Sequence, residues 1–400
     1  MVKNFSRYFL SIALVLFVTA CAPEGLRKIL RQEPAAPQPA AQATPAPAPL
    51  PEYHGPGTRP FSMGFTHWPA DLTEDGVAIA RAYADAHGDI LSVMFLGGIP
   101  WPEALEGKPF STDVQQKMAD RPPAGKKLFL SISPLNKDRR ELAPYWGERE
   151  NQALPGPWKS EPLNSPRVKQ AYLNFILRAV DTMRPDYLAI GVESNMLLSR
   201  NAAKWQQLKE LHRDTYTALK KAHRPLPVFF TTEVLHYRRL TRDAKGTHQE
   251  KEVAELMRYS DLFAISLYPH MSPEVPQVIP ADFLDFAKRF KKRIAVSESG
   301  RASRNVELKT YDRILYGSDA AQVQFTDFLL KTAARDRYEF VINFATTDSD
   351  RLVARLPPPL ADLARIWAFI GMQTSDLRPK PASAVWDAFL QAKYTQAKQR

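Results

Sequence analysis

Two glutamates follow apolar runs in this sequence. Glu193 comes directly after LAIGV (188–192), and Glu298 comes directly after IAVS (294–297). A carboxylate beside a buried strand is destabilising unless it is paired or used. Two facing carboxyl groups can divide acid–base work, since one donates a proton while the other, ionised, attacks as a nucleophile. A single such glutamate is typical of a structural ion pair, whereas two in this placement favour catalysis.

Short apolar runs alternate with longer amphipathic runs over about residues 59–391. The pattern predicts strands at 61–66, 90–96, 127–133, 187–192, 227–232, 262–267, 293–297 and 339–344. Near-continuous apolar strands separated by helices indicate a parallel sheet. Eight such units fit an α/β fold, a closed (β/α)₈ TIM barrel forming a single domain over residues 59–400. A doubly wound sheet is the alternative, but no Gly-rich phosphate loop follows the first strand.

The first twenty residues have the pattern of a secretory signal peptide. Lys3 and Arg7 precede an apolar run over 8–18, which is too short to span a bilayer comfortably. The segment ends Val18-Thr19-Ala20-Cys21, which resembles the lipobox of bacterial lipoproteins. The resemblance implies cleavage before Cys21, lipidation of its sulfur and anchoring to a membrane. An ordinary signal peptide followed by a chance cysteine is the alternative.

Residues 21–58 are predicted to form a spacer between the lipid anchor and the domain. Pro and Ala dominate from Glu33 onward, with almost no apolar periodicity. At about 3.1 Å per residue, such a segment holds the domain several tens of ångströms from the membrane. Ala22, rather than Asp, follows Cys21, which favours the outer membrane in a Gram-negative cell. The expected location is therefore the cell envelope.

The formal net charge of the chain is +11, and Cys21 is its single cysteine. The domain therefore has no disulfide, and its stability must come from packing. Lys and Arg are scattered along helices rather than gathered in one patch, and no nucleic-acid motif is present, so no nucleic-acid partner is expected. His236 follows Glu233 closely, but no His/Asp/Glu spacing matches a metal motif. We therefore predict neither a metal nor a cofactor.

The order of short motifs resembles that of glycoside hydrolase clan A. In that clan the acid/base glutamate ends strand four and the nucleophile ends strand seven, which implies these roles for Glu193 and Glu298. A tyrosine ending strand six commonly hydrogen-bonds the nucleophile, which implies that role for Tyr268. The segment from Arg378 to Trp386 resembles the closing segment of endo-β-1,4-galactanase-like families. One position departs from the pattern, since Val192 stands where the clan has an asparagine that contacts the sugar 2-hydroxyl.

Further polar and aromatic residues near predicted strand ends are candidate substrate-binding residues. They are His67, Trp68, Trp101, Asn195, Tyr268 and Asn343. A lone histidine at such a position is more often a hydrogen-bonded structural residue. The tryptophans stack on sugar rings or pack the rim, and the same two interpretations apply to Tyr145, Trp146 and Trp158 in the long loop 134–165.

The leading hypothesis is thus a lipid-anchored glycoside hydrolase that cleaves an extracellular or envelope polysaccharide by a retaining mechanism. The second is a non-catalytic, glycan-binding or scaffold lipoprotein on the same barrel, which Val192 keeps open. The third is a barrel enzyme of another class that uses the two carboxylates for different chemistry, since one barrel fold hosts many reactions.

Overall fold

The computed structural model describes residues 53–395, without the side chains of Tyr311 and Pro359. The predicted signal peptide, the lipidation site Cys21 and most of the predicted spacer lie outside the described residues. Within residues 53–395, no helix is long and apolar enough to cross a membrane.

Eight parallel strands form the centre of the fold, close to the predicted positions. They are β1 (Ser62–Thr66), β2 (Ile90–Phe95), β3 (Lys127–Ile132), β4 (Tyr187–Ala189), β5 (Val228–Phe229 and Thr231–Glu233), β6 (Leu262–Leu267), β7 (Arg293–Ser299) and β8 (Phe340–Asn343). Neighbours pair in parallel from β1 through β5, and β8 pairs with both β1 and β7. The two halves of β5 complete the circle, because the first pairs with β4 and the second with β6. The predicted (β/α)₈ barrel is confirmed.

Twelve α-helices are present among residues 53–395, most of them on the outside of the barrel. They are α1 (Glu74–Ala86), α2 (Trp101–Glu106), α3 (Thr112–Met118), α4 (Pro166–Met183), α5 (Met196–Arg200), α6 (Trp205–Ala222), α7 (Val234–Tyr237), α8 (Gln249–Leu256), α9 (Asp319–Asp336), α10 (Asp350–Ala354), α11 (Pro358–Arg365) and α12 (Pro381–Gln391). Helix α4 shows why they form. Ser165 caps it by accepting from the Val168 amide, Pro166 occupies its first turn, and Ala171, Phe175 and Ala179 recur on its buried face.

The segment after β6 differs from the helix that its apolar pattern predicts at 280–291. The structure has only a 3₁₀ turn there, at Asp285–Phe290. Phe283 and Phe286 are three residues apart, as are Leu284 and Ala287, and this spacing also fits a three-residue period.

Alternation along the strands sends one set of side chains inward and the other toward the helices. The inward set at the base is apolar and includes Phe129, Phe229 and Phe340. The ring centroids of Phe129 and Phe340 are 4.9 Å apart, and those of Phe129 and Phe229 are 5.7 Å apart. The base of the barrel is therefore a packed core, and any cleft must lie at the opposite end.

Candidate active site

A cavity of about 390 Å³ occupies the C-terminal mouth of the barrel. Four of the predicted site residues line it: Glu193, Glu298, Tyr268 and Trp68. The two glutamates come from the ends of β4 and β7, as the barrel prediction requires. The mouth is where strand-to-helix loops meet in this fold, and loop residues there can approach a ligand from several sides.

Glu298 points into the mouth because β7 contains a bulge. Ala295 faces the barrel interior and Val296 faces the helices, so strict alternation would send Ser297 inward and Glu298 outward. Instead, the register shifts, since Ile265 pairs with Val296 and Ser266 pairs with Glu298. Ser297 is the extra residue, and its hydroxyl donates to the Ile265 carbonyl at 2.9 Å. The bulge thus returns Glu298 to the inner face.

The Glu298 carboxyl is almost completely buried, with 6% of the residue exposed. The Tyr268 hydroxyl donates to its Oε2 at 2.9 Å, which is the contact predicted for Tyr268. Burial, followed by the nearby charge of Glu193, raises the pKa of Glu298 to about 8, although Arg139 and the Tyr268 hydrogen bond act in the opposite direction. The ligand-free site therefore holds a proton on Glu298 near neutral pH.

Glu193 lies in a strained backbone conformation. Its φ of 49° is in the left-handed region, which costs a residue with a Cβ about 1–2 kcal/mol. Thr231 on β5 holds the turn, because its hydroxyl accepts from the Glu193 amide at 2.7 Å and its carbonyl from the Ser194 amide at 3.0 Å. Strain of this kind concentrates at functional positions, where surrounding contacts fix the geometry.

Two donors hold the Glu193 carboxyl group. Ser266 on β6 donates its hydroxyl to Oε1 at 2.8 Å, and Arg139 donates Nη2 to Oε2 at 3.1 Å. The arginine belongs to the loop after β3 and is itself buried, with 9% of its side chain exposed. Both contacts fix the position of the carboxyl group in the cavity.

Glu233 forms a second acidic group at the rim, at the end of β5. Its carboxylate caps α7 by accepting from the Leu235 and His236 amides. His236 bridges it to Asp243, with Nδ1 at 2.5 Å from Glu233 Oε2 and Nε2 at 3.1 Å from Asp243 Oδ2. Burial opposes a charge on His236, but the two carboxylates outweigh it and raise its pKa. The three side chains of this cluster are paired with one another, and Glu233 and His236 line one side of the cavity.

Four of the predicted substrate-binding residues, His67, Trp101, Asn195 and Asn343, do not line the cavity. Trp101 is fully buried, and its indole donates to the Ala143 carbonyl while packing on Trp158. His67 pairs with buried Asp120 at 3.0 Å, in the structural role usual for such a histidine. In the long loop, Trp146 and Trp158 are also buried, which supports packing for both.

The two asparagines are used inside the fold. Asn195 is fully buried, accepts from the Glu233 amide and donates to the Glu233 carbonyl and to Gln249. Asn343 donates to the Ala345 and Ile370 carbonyls. Val192 is also fully buried, in an apolar cluster with Met94 and Phe344. None of the three lines the cavity.

One wall of the cavity is apolar and comes largely from the segment after β8. Helices α10 and α11 and the turn that follows provide this wall. Trp68 lies beside it, and its ring centroid is 5.6 Å from that of Phe344. The residues of this segment that line the cavity include Leu352, Leu363, Ala364, Ile366 and Trp367. Sequence reasoning missed this wall, since nothing in residues 350–367 distinguishes a cavity lining from an ordinary helix.

The opposite wall carries charges that sequence reasoning also missed. Lys137, Asp138, Arg139, Arg200 and His236 line it. A signal was present for the first two, because the polar run NKDRR (136–140) directly follows predicted strand three. Among residues 53–395, no group of three His, Cys, Asp or Glu side chains is placed to hold a metal ion.

The ends of β4 and β7 bring two carboxyls into one cavity, and such a pair can supply a proton donor and a nucleophile toward an acetal carbon. A (β/α)₈ barrel with two carboxyls at its mouth is typical of the glycosidases. The sequence model of glycosyl hydrolase family 53 matches residues 143–343, half of the chain. The chain belongs to this family, whose members are clan A barrel enzymes, and it is a glycoside hydrolase of the retaining type.

Solved structures agree on the fold. A GH5_18 protein from Streptomyces cattleya in complex with Manb1-4GlcNAc is 16% identical, with a TM-score of 0.57 over 85% of this chain and 83% of that one. An exo-β-1,4-mannosidase from Opitutaceae bacterium strain TAV5 is 15% identical, with a TM-score of 0.56 over 86% of this chain and 61% of that one. Among curated proteins, no sequence matches this chain.

Proposed function

We propose that this protein is a lipid-anchored retaining glycosidase of the cell envelope in which Glu193 is the acid/base and Glu298 the nucleophile. The observation that carries the proposal is the meeting of the two carboxyls, from β4 and β7, in one cavity. The Tyr268 hydroxyl, which donates to Glu298, supports the assignment of Glu298 as nucleophile, since this donor stabilises the ionised form that attacks.

The reaction proceeds in two balanced steps. Glu298 attacks the anomeric carbon while Glu193 gives its proton to the leaving oxygen, which leaves a glycosyl–Glu298 ester. Water then attacks the same carbon, Glu193 takes the water proton, and Glu298 is released as a carboxylate. Both carboxyls return to their starting states, and the anomeric configuration is retained.

The mechanism needs one proton on the pair of carboxyls. Burial, followed by the nearby charge of Glu193, raises the pKa of Glu298, which helps the pair to retain a proton near neutral pH.

The test uses the soluble domain from about Tyr53 onward, with aryl glycosides and polysaccharides as substrates and released reducing ends as the measurement. Wild-type release that is lost in Glu298→Gln supports the proposal. Glycan binding by both proteins without turnover would support the alternative of a glycan-binding lipoprotein.

Azide distinguishes the roles of the two glutamates. In Glu298→Ala, azide occupies the space of the missing nucleophile and should yield a glycosyl azide of inverted configuration. In Glu193→Ala, azide should intercept the glycosyl–enzyme and yield the retained anomer, most readily from a dinitrophenyl glycoside, whose departure needs no proton. Exchange of these two outcomes would reverse the assigned roles.

The anchor rests on the lipobox-like segment that ends at Cys21 and on the Pro/Ala-rich stretch after it. Mass spectrometry of the mature N-terminus should find a lipid-modified cysteine in the membrane fraction. A Cys21→Ala variant should lack the lipid and appear in the soluble fraction. An unmodified Cys21 at the mature N-terminus would instead indicate an ordinary cleaved signal peptide.

A further inference from the structure

The charged wall of the cavity contains more positive charge than acid catalysis requires. Arg139 and Arg200, from the loop after β3 and the end of α5, both line the cavity beside Glu193. A neutral sugar offers hydroxyls and stacking faces but no negative charge to balance two guanidinium groups. Arginine is preferred where a planar carboxylate is recognised by two parallel hydrogen bonds.

Arg139 is held in place but not fully used. Its Nη1 donates to the Lys137 carbonyl at 2.8 Å, and its Nη2 donates to Glu193. Its buried Nε has no acceptor among the described residues. An arginine on a general acid is counterproductive by itself, because it favours the carboxylate over the protonated form that must donate.

Arg200 is only loosely paired. Its Nη1 donates to the Asp138 carbonyl at 2.8 Å, while its nearest carboxylate contact, Nε to Asp243 Oδ2, is 4.0 Å long. Asp243 is already bonded to His236. Burial lowers the pKa of Arg200; the nearby charge of Glu193 opposes this change, and the charge of Arg139 adds to it. An anion between the two arginines would relieve their mutual repulsion and replace lost hydration.

We propose that the cavity takes an acidic glycan, with the carboxylate of a hexuronate residue next to the scissile bond bound by Arg139 and Arg200. The proposal rests on the proposed glycosidase function and adds its substrate class. A hexuronate offers the planar, two-oxygen acceptor that a guanidinium fits, while its ring faces remain available to Trp68 and the apolar wall.

The same contact also acts on the acid/base. A substrate carboxylate that engages Arg139 shares this guanidinium with Glu193, whose other side-chain donor to the carboxyl is the Ser266 hydroxyl.

The experiment compares matched aryl glycosides that differ only at C6. The probes are 4-nitrophenyl β-D-galacturonide and β-D-glucuronide against the galactoside and glucoside, with a 6-sulfated galactoside as a third arm. We expect kcat/KM for a uronide to exceed that for its neutral partner by about 100-fold. A preference for the sulfated galactoside over the galacturonide would overturn the assignment to a carboxylate.

Variants locate the preference at the two arginines. Arg200→Gln should lower the uronide preference about tenfold, mainly through a higher KM for the uronide. Arg139→Gln should lower the preference further, and Arg139→Lys should restore part of it. The exposed neighbour Arg140 supplies the control, and Arg140→Gln should leave every ratio unchanged.

Failure of the inference differs from failure of the proposed function. Equal hydrolysis of uronide and neutral probes, unaffected by Arg200→Gln, overturns the inference and leaves the glycosidase in place. No hydrolysis of any glycoside or polysaccharide overturns the function. Calorimetry with galacturonate and galactose oligosaccharides then decides the inference, because equal affinity of the wild type for both overturns it.

Discussion

The base of the barrel holds Phe129, Phe229 and Phe340 in contact, whereas the mouth holds Glu193 and Glu298 at the ends of β4 and β7. The base follows the inward alternation of the strands, whereas the mouth departs from it, since the bulge in β7 turns Glu298 inward. At the base, burial of apolar area stabilises the fold. At the mouth, the buried carboxyl of Glu298 and the left-handed backbone of Glu193 each cost stability. The comparison teaches that this chain gains stability at one end of the barrel and gives some of it up at the other.

The largest expected effect lies at the mouth. Glu298→Gln removes the attacking oxygen while keeping the shape of the side chain, so turnover should fall by about 10⁴-fold. Released reducing ends under substrate saturation measure it. Glu150→Gln is the matched control, because Glu150 is equally buried but does not line the cavity, and its activity should equal that of the wild type. Comparable activity in Glu298→Gln and Glu150→Gln would show that the Glu298 carboxyl takes no part in the reaction.

A substitution at the base should lower the stability of the fold and leave the activity almost unchanged. Phe340→Ala leaves a cavity among the stacked rings, and the free energy of unfolding should fall by about 3–5 kcal/mol. Urea denaturation followed by circular dichroism measures it, and kcat of the molecules that remain folded should stay near the wild-type value. A large fall in kcat at full folding would show that the two layers are not separable.

The pH dependence of stability sharpens the comparison. Burial raises the pKa of Glu298 from 4.5 to about 8, so between these values the folded state binds more protons than the unfolded state, and stability falls as pH rises. Glutamine does not titrate, so the Glu298→Gln variant does not lose this stability as pH rises. Its stability relative to the wild type should therefore increase from about pH 4.5 to pH 8, by on the order of a few kcal/mol.

Thermal unfolding at a series of pH values measures this gain. Burial also raises the pKa of Glu150 to about 8, so Glu150→Gln should show the same trend while remaining active. A stability difference independent of pH would contradict a protonated Glu298 in the folded state.

The smallest effect concerns one hydroxyl. Tyr268→Phe removes the hydrogen bond to Glu298 at 2.9 Å, and a hydrogen bond to a charged group contributes about 1.5–3 kcal/mol. We expect kcat/KM to fall about tenfold or somewhat more. Tyr83→Phe is the control, since the Tyr83 hydroxyl is buried without a partner among the described residues, and activity should not change.

The strands and the two glutamates were predictable because their signals are local. β6 begins and ends where its apolar run does, and helix α4 begins at its Ser–Pro cap. The side chains that share the mouth were less predictable. Trp101 and Asn195 also lie near strand ends, but the first is packed in the core and the second joins the β4 loop to β5. A position near a strand end predicts where a residue lies along the barrel axis, but it does not predict the direction in which the side chain points.

The sequence by itself determined the eight-unit barrel, the apolar base and the position of Glu193 and Glu298 along the barrel axis, because the hydrophobic pattern that predicts them is local in the chain. The tertiary structure alone decided that Glu298 faces inward, since this depends on the pairing register of β6 and β7. It also decided that Arg139 meets Glu193 and that helices α10 and α11 form a wall. These contacts join segments far apart in the chain, and their geometry exists only once the barrel has closed.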